Sequence, residues 1–362
     1  MWGKETVGAV LTARVLQRHS FGIQERAALV AHQVVTCKGV DLATSTAMQA
    51  GAGSSSDEED ASVLDVTGQQ LGDLQLKPHL LEVDLTNNRL REMPDFSILE
   101  SVTTLCLRQN LLTSLQGLHF LTTLEELDVY DNRCRSISPV QNLTCLTHLD
   151  LSFNKFRHIH SLERLTSLTE LYLVNNSISH IEGLSTLVHL QLLELGSNKI
   201  REIVNLENLQ SLRQLWLGRN RIFRLQNLEC LTNLEKLSIQ SNRLTRLEGI
   251  SLCTKLSELY VSHNAISELE CLETLRNLTT LDICGNRIST LPDLSYLSQV
   301  TDFWANDNLI EDFECLSTLT RLPLETLYLE RNPFAAAANY RERVLTLMPN
   351  LTQLDADYVD LR

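Results

Sequence analysis

The side chains able to do chemistry in this 362-residue chain are plentiful, with 45 Asp and Glu, ten His and nine Cys. Their spacing decides what they can do. His148, His263, Cys106 and Cys284 are the natural candidates for a base and a nucleophile, yet no pair among them has an arrangement that a repeating sequence would not generate by itself. Carboxylates recur in step, as at Asp128 and Asp150. They are expected on a face open to water, without the apolar pocket that would hold one of them protonated as an acid. His148 is expected at the surface. No glycine-rich phosphate loop and no cluster of metal ligands occurs. These residues therefore predict recognition rather than catalysis: no enzyme, no cofactor and no metal.

The recognition chemistry lies in a second pattern. Asp84, Cys106, Asp128, Asp150, Tyr172, Glu194, Trp216, Ser238, Tyr260, Asp282, Trp304 and Tyr328 each stand four residues before an asparagine. Two positions further upstream, Glu82, Glu126, Glu170, Glu258 and Asp302 add acid, and Lys236 is the lone Lys or Arg. Two of the three tryptophans share the first position. Trp and Tyr set among carboxylates supply large contact area at low entropic cost, and the acidic rim steers a partner carrying Arg or Lys. Stacked aromatics that merely shield a sheet are the competing reading.

The asparagines that index this pattern stand at 88, 110, 132, 154, 176, 198, 220, 242, 264, 286 and 308, with Asn332 displaced by a two-residue insertion. Around each lies one frame, as in Leu168-x-x-Leu171-x-Leu173-x-x-Asn176-x-Ile178-x-x-Ile181. Apolar residues five and three before the Asn alternate, so both point inward from a short β-strand. A period in the twenties means a stacked solenoid, and this frame is that of a leucine-rich repeat. The prediction is an α/β solenoid, a curved array of about 12 repeats. It has a parallel sheet on the concave face about 55 Å long, and short helical or 3-10 segments on the convex side. The Asn amide is expected to satisfy backbone groups at the inward turn. The residues four and six before it then face outward from the sheet.

Residues 61–334 are assigned to this solenoid, beginning with a degraded half-repeat at Leu64 and Val66. Residues 335–362 are assigned to a C-terminal cap in which Tyr340, Val344 and Leu347 share one helical face. Residues 1–60 form an N-terminal extension, expected to be disordered or weakly helical, ending in a small, acidic tract where Ser54, Ser55 and Ser56 precede carboxylates. The net charge of −14 excludes a general nucleic-acid binder. The cysteines are odd in number and without CxxC spacing, which predicts reduced thiols in the cytosol or nucleus. No secretory signal and no apolar run long enough to span a bilayer is expected.

Five stretches carry a closer likeness: Thr104-Leu105-Cys106-Leu107-Arg108-Gln109-Asn110, Leu171-Tyr172-Leu173-Val174-Asn175-Asn176, Leu193-Glu194-Leu195-Gly196-Ser197-Asn198, Gln240-Ser241-Asn242-Arg243-Leu244 and Tyr328-Leu329-Glu330-Arg331-Asn332-Pro333. Through them, and over about residues 80–362, the chain resembles the regulatory subunit 7 family of protein phosphatase 1, the regulators built from 22-residue leucine-rich repeats. The resemblance implies a non-catalytic regulator of nucleus and cytoplasm, monomeric on its own. It implies that the regulator holds the phosphatase catalytic subunit, with a further inhibitor subunit, and binds neither nucleic acid nor membrane. It implies Asp150, Tyr172, Glu194, Trp216, Asp282, Asp302, Trp304 and Tyr328 as the contact residues. Tyr172 and Trp216 stand where that family commonly has Phe, and Asp302 where it has Glu; residues 1–50 depart from the family's long acidic N-terminus. A ribonucleoprotein scaffold and an axonemal or tubulin-associated adaptor, both built on similar repeats, remain as alternatives.

Overall fold

In the computed structural model, which describes residues 62–69, 74 and 76–359, the repeating frame becomes one 15-stranded sheet. The expectations for residues 1–60, including Ser54–Ser56, lie outside the described residues. The strands are β1 (Val63–Asp65), β2 (Glu82–Asp84), β3 (Thr104–Cys106), β4 (Glu126–Asp128), β5 (His148–Asp150), β6 (Glu170–Tyr172), β7 (Leu192–Glu194), β8 (Gln214–Trp216), β9 (Lys236–Ser238), β10 (Glu258–Tyr260), β11 (Thr280–Asp282), β12 (Asp302–Trp304), β13 (Thr326–Tyr328), β14 (Gln353–Leu354) and β15 (Asp357–Tyr358). Each pairs with the next, in parallel up to β14, and β15 closes the series antiparallel. The register advances by one repeat per strand, so Asp150 lies opposite Tyr172 and Tyr172 opposite Glu194.

The frame explains this geometry. Leu171 and Leu173, five and three before Asn176, are fully buried, as are their counterparts in the neighbouring coils. The residue just before the Asn then turns left-handed, with φ of 54° at Phe153, 50° at Asn175, 56° at Ser197 and 55° at Arg219. That conformation is strained for residues with a Cβ, and the asparagine compensates for it. Asn176 Nδ2 shares its two N–H groups among the carbonyls of Leu151, Leu173 and Val174 at 3.1, 3.2 and 3.2 Å. Its Oδ1 accepts from the Phe156 amide at 3.0 Å. One side chain thus pins two successive coils together.

The return path is less helical than the sequence suggests. Tight turns recur every three residues, with Leu165 N donating to Leu162 O at 2.9 Å and Leu168 N to Leu165 O at 3.0 Å. They aim Leu162, Leu165 and Leu168 into the core without completing a helix. Short 3-10 segments occur at Leu118–Phe120, Ser138–Val140, Phe313–Arg321 and Pro333–Ala336. The longest falls in the coil carrying the two-residue insertion, where Asp312 Oδ1 accepts from Glu314 N at 2.9 Å. Because the turns are bulkier than the narrow strands, the sheet lines the inner curve.

After β13 comes the helix α1 (Tyr340–Leu347). Val344 is fully buried, and Tyr340, Leu345 and Leu347 pack partly buried against the core.

Candidate functional site

The sheet's outer face is a column in which one residue per strand, four before each Asn, stands beside its counterpart. It divides into an acidic part and an aromatic part.

In the acidic part, Asp150 ends β5, Tyr172 ends β6 and Glu194 ends β7. Asp150 is 5% exposed, so this carboxylate is not open to water as the sequence alone suggested, and Tyr172 beside it is 4% exposed. Asp128 is likewise buried. Strands about 4.8 Å apart place each side chain in contact range of its neighbours. Burial raises the Asp150 carboxyl against the opposing hydrogen bonds of Ser152, whose amide donates at 2.8 Å. Burial, and then the charge of Asp150, pushes the Glu194 carboxyl up to about 8. No hydrogen bond or ion pair holds that carboxyl among the described residues. Glu194 is thus a desolvated acid with nothing to compensate it.

His148 is also more covered than expected. Its Nδ1 lies 3.1 Å from Glu170 Oε2, and its Nε2 is buried without a hydrogen-bond partner. Burial lowers the imidazole, but the hydrogen bond and charge of Glu170 outweigh it and raise it overall. The Tyr172 hydroxyl donates to the same Glu170 oxygen at 2.9 Å. At the upstream end, Arg108 binds Asp128 at 2.9 Å and lies 4.6 Å from the Tyr130 ring centroid.

In the aromatic part, Trp216 and Trp304 do not touch; Tyr260 joins them. Its ring centroid is 6.2 Å from that of Trp216 and 6.2 Å from that of Trp304, and Trp304 lies 6.2 Å from Tyr328. The Tyr260 hydroxyl donates to Glu258 Oε2 at 2.7 Å, and Lys236 Nζ reaches Glu258 at 2.7 Å. Asp282 lies between Tyr260 and Trp304 in the column, 3% exposed, and burial raises its carboxyl against the hydrogen bonds of Ser262 and Cys284. Asp302 begins the strand that Trp304 ends, two residues from it, and accepts from Thr301 Oγ1 at 2.9 Å. The Trp304 indole N–H is buried and unpartnered. Gln353 on β14 donates to the Tyr328 hydroxyl at 2.5 Å.

All eight residues implied by the resemblance therefore lie on one sheet face, seven of them in a single column. Tyr260 was not among them, although the Asn spacing had placed it in the same series. Among the described residues no group of three or more His, Cys, Asp or Glu is placed to hold a metal ion. No helix there is long and apolar enough to cross a membrane.

Family models fit the geometry. The model described as "Leucine Rich repeats (2 copies)" matches residues 232–270 and 254–296, and that described as "Leucine rich repeat" matches residues 122–178. This chain is a leucine-rich-repeat array. Among solved structures it is similar to an internalin (inlF) from Listeria monocytogenes, at 27% identity and a TM-score of 0.69, over 78% of this chain and 83% of that one. The functional domain of InlJ from the same organism matches at 25% identity and a TM-score of 0.67, over 81% of this chain and 62% of that chain. A leucine-rich-repeat protein of Leptospira interrogans shares the fold at 22% identity, with a TM-score of 0.61, over 81% of this chain and 95% of that one. No curated protein matches the chain. The array is a scaffold suited to protein–protein interaction.

Proposed function

We propose that this array is a non-catalytic regulatory subunit that holds the catalytic subunit of protein phosphatase 1 against its sheet face, in nucleus and cytoplasm. The observation that carries the reading is the continuity of the column. Asp150, Tyr172, Glu194 and Trp216 follow one another in register, Ser238 and Tyr260 continue the column, and Asp282, Trp304 and Tyr328 complete it with Asp302 alongside, so that desolvated carboxyls combine with an aromatic platform. A partner bearing Arg or Lys would restore counter-charge to Asp150 and Glu194, and its apolar side chains would lie on the rings. The phosphatase is named on the strength of the motifs that carry the family resemblance.

Titration of purified catalytic subunit onto the immobilised full chain tests this. Glu194→Lys and Trp304→Ala are each expected to weaken binding by about 1–3 kcal/mol without unfolding the array. Equal capture by wild type and both variants would remove the site assignment. Absence of binding by wild type would remove the partner, and co-purifying RNA or tubulin would favour the other scaffolds.

A further inference from the structure

The asparagine ladder can be counted forward as well as back. The residue after each Asn is Arg89, Arg133, Lys155, Lys199, Arg221, Arg243 or Arg287 in seven of the coils, and no such position carries a carboxylate. Two residues later, Arg91, Arg135, Arg157 and Arg201 add a second row, in which Glu311 is the one carboxylate. All eleven are exposed, whereas the residue between the rows, such as Ile200 or Ile222, is fully buried. The backbone keeps the rows in step, with Arg221 N donating to Ile200 O and Arg243 N to Ile222 O, both at 2.8 Å. Like charges therefore stack coil upon coil along one edge of a chain whose net charge is −14. Carboxylates are abundant enough to neutralise them, yet Lys155, Arg201, Arg221 and Arg243 form no ion pair among the described residues. Within the second row, in the same coil as Arg221 and Arg224, Phe223 is 50% exposed.

We propose that this edge is a second docking surface, separate from the sheet face, that takes an acidic peptide segment of a partner protein with an apolar side chain seated against Phe223. Charge complementarity selects the acid, and the lone aromatic among cations selects the apolar anchor. A long polyanion fits less well: the acidic sheet face repels it, whereas a short acidic segment stays within the screened range of the edge, about 8 Å at physiological salt. The proposal does not depend on the phosphatase reading.

The test is fluorescence anisotropy of the full chain with a short fluorescein-labelled peptide of Glu and Ser carrying one central Leu. Wild type is expected to bind it at low salt and to lose it as salt rises. Lys199→Glu, Arg221→Glu and Arg243→Glu together should lower the affinity by at least about tenfold. The same number of reversals at exposed cations elsewhere, Arg164→Glu, Lys255→Glu and Arg276→Glu, should change it by less than about threefold. Phe223→Ala should weaken the Leu-bearing peptide and leave a Leu-to-Ser peptide unaffected. Circular dichroism establishes that each variant is folded. Equal loss in both triple variants, no binding by wild type, or tighter edge-dependent binding of a charge-matched oligonucleotide or of phosphatidylserine vesicles would overturn the proposal.

Discussion

The rings of Trp216 and Tyr260 stack with centroids 6.2 Å apart and planes 22° from parallel, although a whole strand, ending in Ser238, runs between theirs. The small Ser238 side chain leaves room for the two rings to meet over it. Tyr260 is then the piece that makes one platform of two separate tryptophans. Tyr260→Ala is expected to weaken partner binding by about 1–2 kcal/mol, while Tyr260→Phe, which keeps the ring and loses the hydroxyl bond to Glu258, retains most of the affinity. Calorimetric titration of the phosphatase catalytic subunit measures the first effect. Near-ultraviolet circular dichroism of the free protein reads the coupling of the rings independently of any partner, and Tyr260→Ala should change it.

Glu194 gives a pH dependence of known sign. Its folded-state pKa of about 8 lies above the ordinary carboxylate value, so the folded state holds a proton that the unfolded chain releases at lower pH. The protonated acid's contribution is fully present below about pH 4.5 and is lost as pH rises toward 8. Glu194→Gln mimics the protonated form and should therefore gain thermal stability over wild type between pH 5 and 9, by roughly 2–4 °C for each kcal/mol involved. Thermal unfolding across that range checks it; a gap that stays constant or closes with rising pH would contradict the assigned burial.

The asparagine ladder should be costly to break. Asn176→Ala leaves one amide and several carbonyls short of a partner inside the turn, and destabilisation of at least about 2 kcal/mol is expected. Urea unfolding compared with an exposed control such as Ser185→Ala measures it.

The Asn spacing alone made the fold legible, because a period of 22 with fixed inward positions permits only a stacked sheet. It also located the column of the candidate site. What it could not supply was the environment of that column. Asp128, Asp150 and His148 read as solvent-facing because outward direction was equated with exposure, whereas close-set strands let neighbours bury one another. The convex side read as more helical than it is, since leucines three residues apart suit repeated turns as well as a 3-10 helix. Tyr260 and the basic edge were within reach of the same ruler.

The last full coil shows the ladder's logic transferred to another residue. No further Asn follows Asn332 in the frame, and Asp355 does the capping instead: its Oδ1 accepts from the Leu329 and Glu330 amides at 2.7 and 2.9 Å. Its Oδ2 accepts from the Tyr340 hydroxyl at 2.9 Å, which ties α1 to the end of the sheet. The carboxylate suits this role better than an amide, because all three of its partners donate. Asp355→Ala is expected to destabilise the array by about 2–3 kcal/mol, and Tyr340→Phe by about 1 kcal/mol. Hydrogen exchange should place the loss at the Leu329 and Glu330 amides, with β2–β5 unaffected, since each coil of a solenoid contacts only its neighbours. Uniform deprotection along the chain would show instead that the terminal coils unfold cooperatively with the rest.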